Sequence, residues 1–260
     1  MSTERLQAGT VDSADSERSV SRTALVVGAA SGIGESVAEL LAIRDGWSVV
    51  AADVQETAGV VERIHRAGGR ANSAYLDIAD VSSIAPFLDR PEMEELHAVV
   101  IAASVQGSLM PLQSYQYAEW ARVIGINLTG VFFCAQAGAN RMARNGGGRL
   151  VLFGSPAGRR PAKSTIAPYI AAKAAMPALV AAFTDAFKSS GVLVAAVEPG
   201  RTKTPMIMGP VYQSEGEAIT PDLPIERLLE ASETAEVVAF LCSAAASGVT
   251  NAYWTVSSRT

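Results

Sequence analysis

The stretch Ala24-Leu25-Val26-Val27-Gly28-Ala29-Ala30-Ser31-Gly32-Ile33-Gly34 decides how this chain folds. Its first four residues are a short apolar run without alternation, the pattern of a strand buried on both faces. Three glycines follow, and an apparent helix continues through Ile43. Glycine admits positive φ and lets backbone approach a ligand closely. The N–H groups at the start of the next helix can then hold a pyrophosphate, with Ser31 and Ile33 between the glycines. The spacing is Gly-x-x-x-Gly-x-Gly, not the commoner dinucleotide spacing Gly-x-Gly-x-x-Gly. Taken alone, the glycines can also be read as a tight strand–helix turn without a ligand.

A second apolar run, Ser48–Ala52, ends at Asp53, 19 residues beyond Gly34. In a dinucleotide fold a carboxylate here accepts hydrogen bonds from the adenosine ribose hydroxyls. It would also repel a 2′-phosphate, and the glycine turn holds no Lys or Arg to attract one. The expected cofactor is therefore NAD, with NADP disfavoured. A helix N-cap is the other role open to Asp53.

The same pattern continues along the chain. Thr57–Arg66 reads as a helix, Asn72–Leu76 as a weaker strand and Ala98–Ala102 as a strong one. Glu119–Asn145 reads as a long helix with an interruption near Gly138. Leu150–Phe153 is a strand, Pro168–Lys188 a helix, Val192–Val197 a strand, Thr234–Ser243 a helix and Ala252–Val256 a last strand. Doubly buried strands alternating with helices predict an α/β fold, a Rossmann-like doubly wound parallel sheet with helices on both faces. The expected organisation is one domain over residues 22–260, with a Pro-rich insertion at 202–230. Residues 1–21 are read as a mobile tail, because they are polar and hold no apolar core segment.

Composition narrows the function. The chain has 260 residues, 49% of them apolar, and a net charge of −5, which disfavours a nucleic-acid partner. Two cysteines, Cys134 and Cys242, lie far apart, and the two histidines, His65 and His97, have no metal-ligand spacing. No metal is expected. No apolar run reaches the roughly 18 residues that span a bilayer, so no membrane is expected and the default compartment is the cytoplasm.

Tyr169 and Lys173 are four residues apart on a helix and project from one face. A lysine cation near a phenol favours the phenolate and lowers its pKa from about 10. Tyr169 then becomes a usable general acid or base near neutrality. Ser155 lies just after a strand, 14 residues before Tyr169, at the sheet edge where ligands gather.

Together these features resemble the short-chain dehydrogenase/reductase family, in its single-domain form. The resemblance rests on Gly28, Gly32, Ile33 and Gly34, on Asp53 and Asp77, and on Asn127-Leu128-Thr129-Gly130. It continues through Gly154-Ser155-Pro156-Ala157-Gly158, Tyr169-x-x-x-Lys173 and Pro199-Gly200 leading to Thr204. It implies proton transfer by Tyr169, a hydrogen bond from Ser155 to the substrate oxygen, and tuning of Tyr169 by Lys173, which also binds the nicotinamide ribose. It further implies a relay water at Asn127, adenine at Asp77, and Pro199, Gly200 and Thr204 at the nicotinamide end. Ile78, Ala102 and Thr202 complete the cofactor-binding set. The implied activity is hydride transfer between NAD(H) and a secondary alcohol or ketone, with the small-molecule substrate as partner, and assembly as a homodimer or homotetramer through the Ala-rich helix after Pro168. The alternatives are an NADPH-dependent carbonyl or 3-oxoacyl-type reductase and a weakly catalytic nucleotide-binding scaffold.

Four places depart from the family pattern. Val27 replaces a Thr, Ile101-Ala102-Ala103-Ser104 replaces Asn-Asn-Ala-Gly, and Ser257-Ser258-Arg259 replaces Asp-Gly-Gly. The first two remove both sides of a polar link, which costs less than removing one. Ser104 is expected to crowd the cofactor. Pro177 should kink the helix beyond Lys173. Arg159, Arg160, Lys163, Arg201 and Lys203 border the expected active-site mouth, either to attract an anion or as solvated loops. Met206, Ile207, Met208, Val211 and Tyr212 form an apolar lid or simply pack a loop down.

Overall fold

The structure, a computed structural model, describes residues 22–159, 164–209 and 227–257. The N-terminal tail, Arg160, Lys163, Val211, Tyr212, Ser258 and Arg259 lie outside the described residues. Seven strands build one sheet: β1 Thr23–Val27, β2 Ser48–Asp53, β3 Arg70–Tyr75, β4 Leu96–Ile101, β5 Gly148–Phe153, β6 Val192–Pro199 and β7 Ala252–Val256. All pair in parallel, in the order β3-β2-β1-β4-β5-β6-β7. The helices are α1 Gly32–Ile43, α2 Ala58–Arg66, α3 Val81–Leu88, α4 Tyr117–Ile124, α5 Val131–Arg144, α6 Ala167–Ala174, α7 Met176–Phe187, α8 Pro205–Met208 and α9 Ala231–Cys242. This is the doubly wound parallel sheet that the apolar runs predict.

Successive strand residues point to opposite faces, so each strand feeds two cores. Leu25, Val27, Val50 and Ile101 pack with α3, α5 and α7 on one face. Ala24, Val26, Val49 and Val100 pack with α1, α2 and α9 on the other. Cys134 belongs to the first core and Cys242 to the second, both as free thiols. Burial pushes both thiols up to about 12, so neither is reactive near neutrality. The histidines serve the backbone: His97 Nδ1 accepts from Thr23 N at 3.2 Å, and His65 Nε2 lies 2.8 Å from the Ala71 carbonyl.

The helices correct the sequence reading in three ways. The long helix is not interrupted at Gly138 but at Gly125–Gly130, a π-helical segment between α4 and α5. Gly138 instead allows close approach to β4, since a Cβ there would lie 2.8 Å from Val99 Cγ2. The expected kink at Pro177 is a full break: α6 ends at Ala174 and α7 restarts at Met176. Pro177 has no N–H to continue the ladder, and it sits where a helix start leaves that group unneeded. Third, α3 is a helix that the sequence reading leaves out, although Val81, Ile84, Ala85 and Leu88 recur at helical spacing; the Asp80 side chain caps it, accepting from Ser82 N at 3.1 Å. The stretches Tyr117–Arg144 and Ala167–Ser190 are long and apolar enough, by length and composition alone, to cross a membrane, a test that the core helices of a globular fold also pass. Both pack partly on the sheet, and both carry residues of the candidate site.

Candidate active site

In this sheet order β1 and β4 are neighbours, although β2 and β3 lie between them in the chain. The chain leaves β1 in one direction and β4 in the other, which opens a crevice beyond the strand ends. A cleft of about 940 Å³ occupies it, lined from Gly28 and Asp53 at one end to Ser155, Tyr169 and Lys173 at the other. Of the seventeen site residues expected from the sequence, Gly28, Ser31, Gly32, Ile33, Gly34, Asp53, Asp77, Ile78, Ala102, Ser155, Tyr169, Lys173, Pro199, Gly200, Thr202 and Thr204 line it. Asn127 lies behind the wall, fully buried.

The glycine turn is tight enough that side chains are excluded. Gly28 N donates to Ala52 O at 2.8 Å, and Ala102 N and Ala103 N both donate to Val27 O. Gly28 has φ +87°, and a Cβ there would lie 2.4 Å from Ala103 N. A Cβ on Gly34 would lie 2.0 Å from the Gly28 carbonyl oxygen. Gly34→Ala must therefore push α1 off the turn. We expect it to lower stability by about 3 kcal/mol, as overpacking does, and to abolish cofactor binding. Thermal melting and NADH fluorescence measure the two effects; a variant with wild-type values for both would contradict the packing.

Asp53 ends β2 beside this turn and does not cap a helix; Thr57 occupies the N-cap position of α2. Its Oδ2 accepts from Ala30 N at 3.0 Å and its Oδ1 from Gln55 N at 3.0 Å. The carboxylate is thus held at the cleft before any ligand arrives. Just beyond the neighbouring strand β3, the Asp77 side chain accepts from Ala79 N at 2.8 Å, shaping the turn that also carries Ile78.

At the other end, Ser155 follows β5 and opens a single 3₁₀ turn, Pro156–Gly158, with Oγ accepting from Ala157 N at 3.2 Å. Tyr169 and Lys173 share one face of α6, and Lys173 Nζ lies 5.7 Å from the Tyr169 ring centroid. Lys173 is only 3% exposed, and its Nζ donates to Phe153 O at 2.9 Å. Burial lowers its pKa from 10.5 to about 8. The helix brings Lys173 beneath Tyr169, and the break at Ala175 leaves both within α6.

Asn127 sits in the π-helical segment. Its Oδ1 accepts from Val105 N at 2.9 Å and from Ser104 Oγ at 3.2 Å, and its Nδ2 donates to Val105 O at 2.6 Å. Its side chain is therefore committed to the loop after β4. Ser104, expected to crowd the cofactor, turns its hydroxyl to Asn127 while remaining on the cleft lining. Val27 and Ala103 pack in the first core, as joint loss of the polar link requires. The cation cluster divides: Arg159 pairs with Glu198 and Lys203 with Glu230, while Arg201 lines the cleft.

The residues fit a nicotinamide dinucleotide. The glycine turn presents bare backbone where a Cβ would intrude, a pre-positioned carboxylate stands beside it, and one open cleft continues to the tyrosine. Comparison with known proteins agrees. Residues 28–258 match the profile of the family described as enoyl-(acyl carrier protein) reductase. The chain is 38% identical over 234 residues to cis-4-hydroxycyclohexanecarboxylate dehydrogenase of Sinomonas cyclohexanicum, covering 89% of this chain and 93% of that protein.

The chain belongs to the short-chain dehydrogenase/reductase family. This dehydrogenase/reductase is also 33% identical to cyclohexanol dehydrogenase of Acinetobacter sp. (strain SE19), over 90% of this chain and 93% of that one. Its fold matches the solved 3-oxoacyl (acyl-carrier-protein) reductase of Agrobacterium tumefaciens C58 with NADP bound, with a TM-score of 0.84 and 28% identity, covering 92% and 94% of the two chains. It is an NAD(P)-dependent oxidoreductase acting on alcohols or ketones. The scaffold alternative falls with that assignment, and the cleft stays open beside Ala102, Ala103 and Ser104, which line it.

Several lining residues of the dehydrogenase/reductase were not picked out from the sequence. Val54, Tyr75, Val105 and Gln106 all face the cleft, as does Ser257, which the sequence marks only as a departure from the family pattern. Ser257 arrives because β7 pairs with β6 and ends beside Gly200, whose N donates to Val256 O at 2.8 Å. No local signal in the sequence marks Val54, Tyr75, Val105 or Gln106 as part of a site.

Proposed function

We propose that this enzyme interconverts a cyclic secondary alcohol and its ketone, with NAD(H) as cofactor and Tyr169 as general acid/base. The observation that carries the proposal is that Ser155, Tyr169 and Lys173 line the same cleft as the glycine turn and Asp53. When bound, the nicotinamide supplies or accepts the hydride, and the protein handles orientation and the proton. In the oxidative direction Tyr169 takes the proton from the substrate hydroxyl. Ser155 Oγ donates a hydrogen bond to the same oxygen and holds it against Tyr169. Lys173, cationic below about pH 8, favours the phenolate form of Tyr169 by its charge. Asn127 anchors the loop after β4, and the family resemblance places the relay water at it. Asp53 accepts from the adenosine ribose hydroxyls, Asp77 and Ile78 flank the adenine, and Pro199, Gly200, Thr202 and Thr204 border the nicotinamide.

The alicyclic substrate class is supported by the two curated relatives and by the apolar lining that Val105, Ile166, Met206 and Ile207 contribute. Residues 22–260 are taken as one catalytic unit. A second copy of the chain is proposed to cover the exposed Ala171, Ala174, Ala178 and Ala182 of α6 and α7, giving a dimer or tetramer.

A second reading, NADPH-linked carbonyl reduction, is favoured by the NADP in the Agrobacterium structure. Titration with NADH and NADPH, followed by nicotinamide fluorescence, separates the two. Tighter NADH binding is expected, and Asp53→Ala should improve NADPH affinity about tenfold by removing the like charge. Wild-type protein that prefers NADPH would discard the NAD assignment. Oxidation of cyclohexanol and 4-hydroxycyclohexanecarboxylate then tests the substrate class.

A further inference from the structure

Behind Ser155 lies a charged pair that the proposed chemistry does not use. Glu198, on β6 immediately before Pro199, is fully buried. Its Oε1 accepts from Arg159 Nε at 2.9 Å, and its Oε2 pairs with Arg159 Nη2 and accepts from Thr255 Oγ1 at 3.0 Å. Arg159 Nη2 also donates to Thr255 Oγ1, at 2.9 Å. Arg159 directly follows the Pro156–Gly158 turn that Ser155 opens. The other side of that turn is pressed against α6: a Cβ on Gly158 would lie 2.7 Å from Ala174 N and 2.8 Å from Lys173 C. The Ser155 turn is therefore gripped from two sides, by the helix carrying Tyr169 and by the ends of β6 and β7.

A buried carboxylate with a single half-exposed arginine is a poor source of stability, because apolar replacements of both groups are often neutral or stabilising. The bidentate fork supplies orientation instead, fixing two groups in distance and angle. We propose that Glu198 and Arg159 are positioning residues whose pair fixes the Ser155 turn, and with it Ser155 Oγ, relative to Tyr169. The inference rests on the reading of Ser155 and Tyr169 as the groups at the substrate oxygen.

The test compares Arg159→Met, Glu198→Gln and the double variant Arg159→Met/Glu198→Met. Amide exchange by mass spectrometry follows the peptide covering residues 154–159, and turnover is measured with cyclohexanol and NAD. Arg159→Met alone leaves a buried charge unpaired, so it should lower the melting temperature. The double variant should regain that stability while exchange at 154–159 remains about tenfold or more faster than wild type. Its kcat should stay about tenfold or more below wild type with NADH affinity unchanged, since small misplacements at a reacting centre are costly. Glu198→Gln keeps an oxygen acceptor for Arg159 and should recover most of the turnover. A double variant that regains stability, wild-type exchange and wild-type kcat together overturns the clamp. Unchanged exchange at 154–159 overturns it whatever the turnover. Wild-type activity in Tyr169→Phe would instead remove the chemical reading beneath it, while the exchange result still decides whether the pair holds the turn.

Discussion

Tyr169→Phe is expected to bind cofactor like the wild type and to lose about 10³-fold in kcat. The substitution removes one hydroxyl and keeps the ring that packs over Lys173 Nζ. Tyr169 is partly exposed on the cleft, so the loss leaves no buried cavity, and stability should change by less than about 1 kcal/mol. Cofactor contacts of the glycine turn and Asp53 are remote from the change. A stability-neutral, binding-neutral loss of turnover is the signature of a group used only in the transition state. Steady-state rates with cyclohexanol, together with NADH titration and thermal melting, provide the three readouts. A Phe variant within tenfold of wild type would move the proton to another group, and Tyr169 would lose its assigned role.

Lys173→Met should show the opposite pairing, a more stable protein that is nearly inactive. Burial drops the Lys173 pKa from 10.5 to about 8. Between those two values the unfolded chain binds more protons than the folded one, so stability rises with pH across that window. Below about pH 8 the fold carries the full cost of a buried cation, about 3 kcal/mol by the size of the shift. Methionine removes that cost but leaves the Phe153 carbonyl without its donor, which offsets about 1 kcal/mol. The net expectation at pH 7 is a gain of about 2 kcal/mol in the cofactor-free protein, shrinking to nothing or below near pH 10. Turnover should fall about 10²-fold or more, because no cation remains to favour the phenolate. Denaturant melts of both proteins at pH 7 and pH 10 check the stability arm. A variant less stable than wild type at pH 7 would mean that the lysine is a structural anchor, not a strained functional group.

The two variants separate chemistry from architecture at neighbouring turns of one short helix. Lys173 occupies the last turn of α6, and Pro177 lies in the first turn of α7 just beyond.

Much of this enzyme was legible from local sequence. The run Ala24–Val27 followed by Gly28, Gly32 and Gly34 fixes a buried strand, a turn closed to side chains and a helix start, because each depends on neighbours only a few residues away. The Tyr169–Lys173 pairing follows from helical periodicity alone. Alternation of apolar runs with helices likewise determines a parallel sheet covered on both sides. What the sequence misjudged was local irregularity with a distant cause. The π-helical segment at Gly125–Gly130 brings Asn127 against Val105, and Gly138 is small because Val99 lies opposite it.

Other features belong to the tertiary structure alone. Strand order places the end of β1 beside the end of β4, opening the cleft, and the end of β7 beside that of β6, adding Ser257 to its wall. The burial that strains Lys173 and the pairing of Glu198 with Arg159, 39 residues earlier, arise the same way. Short-range periodicity determines which residues form each element and which face they share. Contacts across long separations depend on how the sheet orders its strands, and the energy of a buried charge depends on what that order packs around it.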